Sequence, residues 1–347
     1  MRLVAVGTGA RELWRAALSA DPTAVVSQTP EWLDAMCEIG HHEDVTRAYE
    51  ADHGRCVVLP LARRRTLNVP LPVESSLPVG WGAGGLVGSP PALARDLAGV
   101  VADLSSQRSL RTEVRPGVAA SAAWDAAAPT AVVRRPMVSQ VVDLSPGFGQ
   151  VWDRFRSRVR RNCRRAERLG LTVESDVTGR LAPAFEGLYR LSVERWARRQ
   201  HEPLALTRWR ARRREPPGKL AAVSRRLGPA CRIWLASREG EPAAAIVVLS
   251  RGRHSVYWRG AMDDAVARGT GANELLHRLA IERACEEGRR EYNMGTSRPA
   301  SSLAHFKHGF GGVDRPHAAF RFERLALTAA EDAARMAVKR MLRFRDA

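Results

Sequence analysis

Five arginines recur at helical spacing near the middle of the chain, and their chemistry suits phosphate binding. They are Arg154, Arg158, Arg161, Arg165 and Arg168. At 100° per residue they form a stripe beside an apolar face made of Val151, Phe155, Val159, Ala166 and Leu169. A solvated helix whose arginine stems cover the edge of the core would show the same pattern. Because like charges three or four residues apart repel one another unless anions approach, the stripe favours a phosphate-contacting surface.

The net charge of +18 is concentrated in two segments. Residues 154–168 hold eight arginines against Glu167 alone, a net charge of +7, and residues 195–226 carry a net charge of +9. Codon usage that favours arginine over lysine would explain part of the excess of arginine. Clustered charge attracts and steers a polyanion, whereas dispersed charge only solvates the surface, so the clustering favours a polyanionic partner.

Two tryptophans lie in the second basic segment. Trp196 falls in a predicted helix over 180–198, and Trp209 falls in residues 201–219, which are polar, proline-marked and expected to form an exposed arm or loop. Aromatic rings among arginines could stack on unpaired bases. They could equally anchor the loop to the body of the protein, and the sequence leaves both interpretations open.

The stretch from Arg268 to Gly311 has the order of elements from which α/β folds build a ligand site at a sheet edge. It predicts a glycine turn, an amphipathic helix, a short strand over Glu291–Met294 and a polar loop that leads to Lys307. A phosphate cradle at the glycine turn is one interpretation. The floor of a transfer site that ends in Lys307 is the one we favour, because most of the positive charge lies elsewhere.

The elements around this stretch alternate between helices and strands. Three strands at 231–237, 243–250 and 254–261 are joined by short turns and predict an antiparallel meander. A helix over 146–169 carries the arginine stripe. The other expected elements are helices at 11–20, 31–39, 91–107 and from Thr328, and strands at 44–51, 56–62, 110–114, 138–144 and 317–325.

A glycine-rich segment, Gly80–Gly88, contains Trp81. It is not a dinucleotide-binding fingerprint, because no clear strand precedes it and Pro90 and Pro91 interrupt an immediate helix. A loop that passes close to a ligand, with Trp81 as a wall, is one interpretation, and a plain surface turn is the other.

Several classes of protein and site are excluded by composition. The five cysteines are scattered and never form a CxxC pair, which argues against disulfides and zinc. His305 and His308 have a metal-like spacing, but without a third ligand nearby we expect no metal site. The absence of a signal segment and of a long apolar run predicts a cytoplasmic protein without a membrane span.

The chain resembles the Fem-type branch of the GNAT acyltransferase superfamily, which contains the FemABX peptidyltransferases and related acetyltransferase domains. The order of meander, glycine turn, helix and strand is similar to the centre of the GNAT fold. The matching residues are Gly271–Leu276, Glu282, Gly288, Gly295, Ser297, Phe306-Lys307 and Phe310-Gly311, with weaker matches at Gln28–Trp32, Leu59–Leu61, Arg160–Asn162 and Arg164-Arg165.

This resemblance implies an α/β (α+β) fold of two tandem GNAT-like domains, each a mixed, mostly antiparallel sheet flanked by helices. A length of 347 residues also suits two domains. We expect an N-terminal domain over 1–140, a C-terminal domain over 141–325 with the transfer site and the basic arm, and a C-terminal amphipathic helix over 326–347.

The resemblance also implies transfer of an acyl group to an amine. The donor is an aminoacyl-tRNA in the peptidyltransferases and an acyl-CoA in other relatives. Arg268 and Gly271 fit the usual coenzyme A loop, but Asn273 stands where a small residue belongs. We therefore expect aminoacyl-tRNA as co-substrate and no cofactor. The tRNA phosphates are expected to contact the arginine stripe, and the donor is also expected to contact Gly271, Ala272 and Asn273. The alternatives are an acyl-CoA N-acyltransferase and a non-catalytic RNA-binding protein.

The resemblance further implies a lysine near the reacting groups, at the position of Lys307. We expect Lys307 to stabilise the developing oxyanion, and a surface lysine on a loop is the competing interpretation. The acceptor is an amine of a cell-wall precursor or of a biosynthetic small molecule. Its expected contacts are Trp81, Tyr257, Trp258, Arg259 and Ser297. For Tyr257 and Trp258, core packing is the competing interpretation. The general base stays open among Asp263, Asp264, Glu274, His305 and bulk water, and the oligomeric state is not indicated.

Overall fold

The computed structural model describes residues 1–51, 54–64, 72–88, 90–107 and 109–341. The chain forms two compact units. The first contains Met1–Met137 and Pro316–Val338, and the second contains Val138–Arg315 together with the chain from Lys339. Residues 316–338, which the sequence-based division assigns to the second domain and the C-terminal helix, thus group with the first unit. None of the helices in the described ranges is long and apolar enough to cross a membrane.

The first unit has a three-stranded sheet in the order β1-β3-β4 and a second sheet in the order β2-β5-β6-β7-β14. The strands are β1 (Arg2–Val6), β2 (His42–Asp44), β3 (Arg47–Glu50), β4 (Cys56–Leu59), β5 (Ala62–Arg64), β6 (Val73–Ser75), β7 (Arg111–Val114) and β14 (Val313–Glu323), of which Pro316 onwards belongs here. The helices are α1 (Arg11–Ser19), α2 (Pro30–Ile39), α3 (Pro90–Ser106), α4 (Ser121–Ala127) and α13 (Leu327–Met341). Strands β1 and β6 were not predicted, because each is short and lacks strict alternation.

A buried ion pair lies within the core of the first unit. Arg47 donates to Glu74 at 2.7 Å and to Asp103 at 3.0 Å, and the hydroxyl of Tyr49 donates to Asp103 at 2.8 Å. The apolar core around this network is formed by Val57, Leu59, Val100, Trp124 and Phe320.

The second unit is a six-stranded sheet in the order β8-β13-β12-β11-β10-β9. Its strands are β8 (Val133–Asp143, from Val138 in this unit), β9 (Thr172–Asp176), β10 (Cys231–Arg238), β11 (Glu241–Arg251), β12 (His254–Met262) and β13 (Glu291–Thr296). Its helices are α5 (Phe148–Arg154), α6 (Ser157–Arg168), α7 (Ala182–Gln200), α8 (Leu204–Arg214), α9 (Lys219–Leu227), α10 (Asp264–Ala267), α11 (Ala272–Glu286) and α12 (Ser302–His308). Strands β10, β11 and β12 pair antiparallel in sequence order, which confirms the meander.

The predicted arginine helix over 146–169 is two helices. The chain leaves the helical conformation between α5 and α6, because Phe155 adopts extended backbone angles and inserts its ring into the core. Arg154 therefore lies on α5 and not on the stripe, and Leu169 is 41% exposed instead of lying on the buried face. The buried side of α6 is formed by Val159, Cys163 and Ala166.

Residues 201–219 do not form the expected loop. Helix α8 fills most of this segment, and α9 begins at Lys219. The segment looked too polar for a core element, and α8 is indeed mostly exposed. Arginine is nevertheless a good helix former, so a polar composition does not prevent a surface helix.

Helices α6 and α11 pack closely at one point. Gly271 adopts φ +82° at the N-terminus of α11, and an added Cβ would lie 2.2 Å from the backbone carbonyl oxygen of Asn162 in α6. The side chain of Asn162 also donates to Glu274 at 2.7 Å. Only glycine permits both this conformation and this approach, so the glycine fixes the position of the arginine helix on the start of α11.

Candidate functional site

The backbone opens between two parallel strands of the second unit. Strands β12 and β13 pair only at His254–Glu291, Ser255–Tyr292 and Val256–Asn293. Both strands are described throughout and continue beyond these pairs, β12 to Met262 and β13 to Thr296. Beyond the last pair the two strands no longer pair with each other, and we call this opening the wedge.

A β-bulge shapes the β12 side of the wedge. The register between β11 and β12 shifts at Val247 and Val248, which pair with Arg259 and Tyr257, so Trp258 is the extra residue. A bulge turns side chains away from strict alternation and often lies beside a functional site. Here it sends the Tyr257 ring toward α11, while Trp258 and Arg259 contact residues at the end of α8 and the start of α9.

Lys307 lies at the β13 side of the wedge. Ser301 caps the N-terminus of helix α12, and its hydroxyl accepts from the Ala304 backbone at 3.1 Å. The helix carries Lys307 into the interior, where the residue is 2% exposed. Its Nζ donates to the carbonyl oxygens of Gly295 at 2.8 Å and Thr296 at 3.0 Å. Burial lowers the pKa of Lys307 to about 8. The interpretation as a surface lysine on a loop is therefore wrong, and its catalytic role stays a prediction.

An aromatic cluster lies next to Lys307. His277 of α11 is 1% exposed, its ring lies 4.6 Å from that of Tyr257, and its Nδ1 lies 3.1 Å from the hydroxyl of Tyr292. Burial, with a smaller contribution from the charge of Lys307, lowers the pKa of His277 to about 3. The imidazole is therefore neutral at physiological pH and cannot serve as a second cation beside Lys307.

Tyr257, like Arg259 and Ser297, is a predicted acceptor contact that is half-buried. Its hydroxyl lies over Gly260, where an added Cβ would come within 2.1 Å of the oxygen. Burial raises the pKa of Tyr257 to about 12, so the hydroxyl keeps its proton and can donate a hydrogen bond.

Ser297 lies on a hydrogen-bonded chain at the end of β13. Its hydroxyl donates to Gln140, whose side-chain amide donates to Asp314 at 2.8 Å, and Nε2 of His308 lies 2.7 Å from the same carboxylate. The hydrogen bonds from Gln140 and His308 lower the pKa of Asp314. His305 lies instead beside the guanidinium of Arg156. Within the described residues no group of three or more metal-ligating side chains is present.

Trp258 and Arg259 take part in a buried ionic cluster that sequence reasoning missed. The Nε of Arg259 donates to Glu215 at 3.0 Å, and Nζ of Lys219 donates to Glu215 at 3.2 Å and to the Arg214 carbonyl at 2.9 Å. Lys219 is fully buried with its ammonium 5.0 Å from the Trp258 ring centroid, and burial lowers its pKa to about 7. Trp258, 8% exposed, is thus a core side chain, as its competing interpretation held.

One signal in the sequence could have found Lys219. The chain contains only three lysines, Lys219, Lys307 and Lys339, among 55 basic residues. Where arginine fills nearly every cationic position, a lysine marks a place that needs a compact ammonium or a group that can lose its proton. Two of the three are the buried lysines described above.

Trp81 belongs to the first unit and is 4% exposed. Its ring packs edge-on against Trp32 at 5.7 Å, and the indole of Trp32 donates to the Trp81 carbonyl at 3.0 Å. Trp81 is therefore a core side chain of that unit rather than an exposed wall. The four other predicted acceptor contacts, Tyr257, Trp258, Arg259 and Ser297, all lie in the second unit.

The predicted donor residues meet at the junction of α6 and α11. Arg158, Arg161, Arg165 and Arg168 are exposed on one side of α6, as predicted. The guanidinium of Arg165 lies 3.8 Å from where a Cβ on Gly269 would stand, so the stripe borders the glycine turn. Ala272 is 1% exposed and offers no side chain to a ligand. Asn273, next in the helix, is half-buried.

Each candidate base already has a polar partner within the protein. Asp263 accepts from the Ala265 backbone at 2.8 Å, and Asp264 accepts from Arg195 at 2.9 Å. Glu274 holds Asn162, and His305 lies beside Arg156. The identity of the base stays open.

Residues 153–308 match the family model described as an acetyltransferase (GNAT) domain. A search of curated proteins found no match. Among solved structures, the chain is similar to FemX, with a TM-score of 0.65 at 13% identity over 93% of this chain and 97% of that one.

Two further structures are similar at lower scores. L-PGS from Bacillus licheniformis has a TM-score of 0.55 at 14% identity over 92% of this chain and 94% of that one. The C-terminal domain of a putative lysylphosphatidylglycerol synthetase from Agrobacterium fabrum has a TM-score of 0.52 at 11% identity over 96% of this chain and 95% of that one. At these identities the likeness concerns the fold, and it confirms the predicted α/β fold.

Proposed function

The chain is an acyltransferase that carries a GNAT domain over residues 153–308, and we propose that it transfers an aminoacyl group from aminoacyl-tRNA to an amine, forming an amide bond. The amine belongs to a cell-wall precursor or to a small molecule of a biosynthetic pathway. The tRNA donor and the acceptor class follow from the resemblance to the Fem-type peptidyltransferases.

The observation that carries the proposal is the unneutralised charge of α6. Among the described residues, no carboxylate forms an ion pair with the arginines at positions 158, 161, 164, 165 and 168. Several arginines elsewhere in the second unit are paired, as Arg195 is with Asp264 at 2.9 Å and Arg283 with Glu287 at 2.8 Å. Five unpaired cations on one short helix favour a ligand with several phosphates along a backbone.

The chemistry needs little beyond positioning and charge stabilisation, because the donor ester is already activated. The deprotonated acceptor amine attacks the ester carbonyl, the new C–N bond forms, and the ribose hydroxyl leaves with a proton. Lys307 has three N–H donors, and the carbonyls of Gly295 and Thr296 accept two of them. The third is available to the oxyanion of the tetrahedral intermediate.

The glycine turn gives less support to an acyl-CoA donor. The residues that fit a coenzyme A loop here are Arg268 and Gly271, and the conformation and small size of Gly271 are explained by its contact with Asn162. The glycine at this turn is therefore explained without a bound pyrophosphate. Acyl-CoA transfer is the alternative that the experiment below must separate.

The test compares the two donors on the purified protein. Filter binding with charged tRNA and calorimetry with coenzyme A give the affinities, and transfer of a labelled amino acid is followed with a cell-wall pentapeptide precursor or a small diamine as acceptor. We expect tRNA binding and transfer that ribonuclease abolishes. Tight coenzyme A binding without tRNA affinity would contradict the proposal.

A matched pair of triple variants tests the position of the phosphates. Replacement of Arg158, Arg161 and Arg165 by alanine should reduce the salt dependence of tRNA binding by up to about three in the log–log slope. The control replaces three exposed arginines that already pair with glutamates, Arg180, Arg238 and Arg283, and removes the same charge. If both variants change the slope equally, net charge and not α6 carries the binding.

A further inference from the structure

Helix α8 exposes a tryptophan on a basic face. Trp209 is 54% exposed, and all nine tryptophans of the chain lie within the described residues. The other eight are buried or half-buried. One exposed aromatic ring is not by itself a site, so its surroundings decide what it does.

Three exposed arginines lie near Trp209 in the sequence of α8. Arg208 precedes Trp209, Arg212 and Arg213 lie three and four residues after it, and together with Trp209 we call them the α8 face. The guanidinium of Arg213 lies 4.8 Å from the Trp209 ring centroid. Arg208 pairs with Glu194, whereas Arg212 and Arg213 have no carboxylate partner among the described residues.

Such a face fits unpaired nucleotides better than other anions. Aromatic rings and guanidinium planes form the platforms on which exposed bases stack, and free arginines contact the backbone phosphates. An acidic peptide or an anionic lipid surface would use the arginines but would not need an exposed ring held beside a guanidinium. Duplex RNA hides its bases and cannot use the ring.

The far end of α8 contacts β12, one of the two strands that border the wedge. Glu215 follows the last helical residue and accepts from Arg259 of β12 at 3.0 Å, two residues beyond Tyr257. At 1.5 Å per residue, Glu215 lies about 9 Å along the helix from Trp209. A stacked strand advances about 3.4 Å per nucleotide, so this distance corresponds to about three nucleotides.

We propose that the α8 face binds the single-stranded end of the RNA donor, with an unpaired base stacked on Trp209 about three nucleotides from the contact between Glu215 and Arg259 of β12. This inference rests on the proposed function, because the donor must be an RNA ester. In this arrangement α6 binds the duplex part of the donor and α8 binds its unpaired end.

The test measures binding of a fluorescently labelled single-stranded RNA octamer, and of a duplex of the same sequence, to the full-length protein. Trp209→Ala should weaken octamer binding roughly 5- to 100-fold, with duplex binding and the salt slope unchanged because no charge is removed. Trp209→Phe keeps a stacking ring and should retain most of the affinity. Leu191→Ala removes an exposed apolar side chain from α7 and is the matched control. Unchanged octamer affinity in Trp209→Ala, or equal losses in Trp209→Ala and Trp209→Phe, overturns the inference.

Transfer assays separate this inference from the function on which it rests. If the wild-type protein transfers from charged tRNA and Trp209→Ala does so with an unchanged KM for tRNA, the inference fails and the proposed function stands. If the wild type binds the octamer through Trp209 but transfers nothing from charged tRNA, the proposed function fails and the α8 face remains an RNA-binding surface.

Discussion

The ammonium group of Lys307 donates a 2.8 Å hydrogen bond to the backbone carbonyl of Gly295. Gly295 lies two residues beyond Asn293, the last residue of β13 that pairs with β12. The bond therefore ties helix α12 to the strand where the wedge opens. Burial lowers the pKa of Lys307 to about 8, so the cation is present at neutral pH and disappears under mildly alkaline conditions.

Replacement of Lys307 by glutamine should reduce transfer strongly and leave tRNA binding nearly unchanged. The variant loses a charged donor near the reacting carbonyl, and loss of such a donor typically lowers kcat about 10²- to 10³-fold. The phosphate contacts of α6 are untouched. Single-turnover transfer at saturating charged tRNA measures the effect, with Lys339→Gln on α13 as the control. Activity within twofold of the wild type would remove Lys307 from the mechanism.

The ratio of the wild-type rate to the Lys307→Gln rate should fall as the pH rises through about 8, whereas deprotonation of the acceptor amine affects both proteins alike. The pKa of Lys307 lies there, and the neutral amine can no longer stabilise an oxyanion by charge. Chemical hydrolysis of the donor ester in alkali is subtracted with an enzyme-free series. A ratio of the two rates that stays level between about pH 7 and 9.5 would show that the charge of Lys307 does not limit the reaction.

His277 should make the protein less stable in mild acid. In the unfolded chain its pKa is near 6.5, while burial lowers the folded value to about 3. Between these values the unfolded state binds the extra proton, so the stability present above pH 6.5 is lost as the pH falls toward 3. From pH 7 to 5 the loss is on the order of 2 kcal/mol.

The difference between the wild type and His277→Gln isolates this contribution. Glutamine keeps a polar partner for the Tyr292 hydroxyl and cannot take up a proton in this range. Urea unfolding at pH 7 and pH 5 gives the two free energies of unfolding. If both proteins lose equal stability, the carboxylates and not His277 cause the acid sensitivity.

The sequence was sufficient to predict the centre of the second unit. Apolar runs such as Ala243–Leu249 with short turns on either side define the meander, and Gly271 with the following apolar residues defines the start of α11. These features are local, because each depends on turn chemistry or on the periodicity of one segment. The exposed face of α6 was predicted for the same reason.

Other features depend on contacts between distant segments and could not be predicted from one sequence. The break before α6 arises because Phe155 packs against Phe310, 5.2 Å away between ring centroids. The contact of Gly271 with Asn162 made a glycine look like part of a ligand loop. The burial of Trp81 and the cluster around Glu215 likewise appear only in the folded protein.

Burial of Lys219 should make the free energy of unfolding increase as the pH rises above 7. In the unfolded chain the lysine keeps its proton to about pH 10.5, whereas burial lowers the folded pKa to about 7. Between these values the unfolded state binds more protons, so stability rises with pH, by on the order of 2 kcal/mol from pH 7 to 9. Lys219→Met should lack this rise. Guanidinium unfolding at pH 7 and pH 9 gives the free energy of unfolding of each protein. An equal change between the two pH values in the wild type and in Lys219→Met would contradict a lowered pKa of Lys219.

Gly271→Ala should destabilise the second unit by more than about 2 kcal/mol. Alanine at φ +82° costs about 1–2 kcal/mol, and its Cβ would lie 2.2 Å from the Asn162 carbonyl oxygen, which is backbone and cannot rotate away. Helix α6 must therefore move off the start of α11 and take its arginines with it. Chemical denaturation measures the loss, and filter binding with tRNA should show a weaker affinity under conditions where the variant remains folded.

Gly288→Ala is the matched control for this contact. Gly288 follows the C-terminus of the same helix at φ +70°, but an added Cβ there meets no atom within 4 Å. The two substitutions share the cost of the left-handed conformation and differ only in the contact with Asn162. The excess destabilisation of Gly271→Ala therefore measures the packing of α6 on α11. Equal losses of stability, or unchanged tRNA affinity in both variants, would mean that Gly271 does not position the arginine helix.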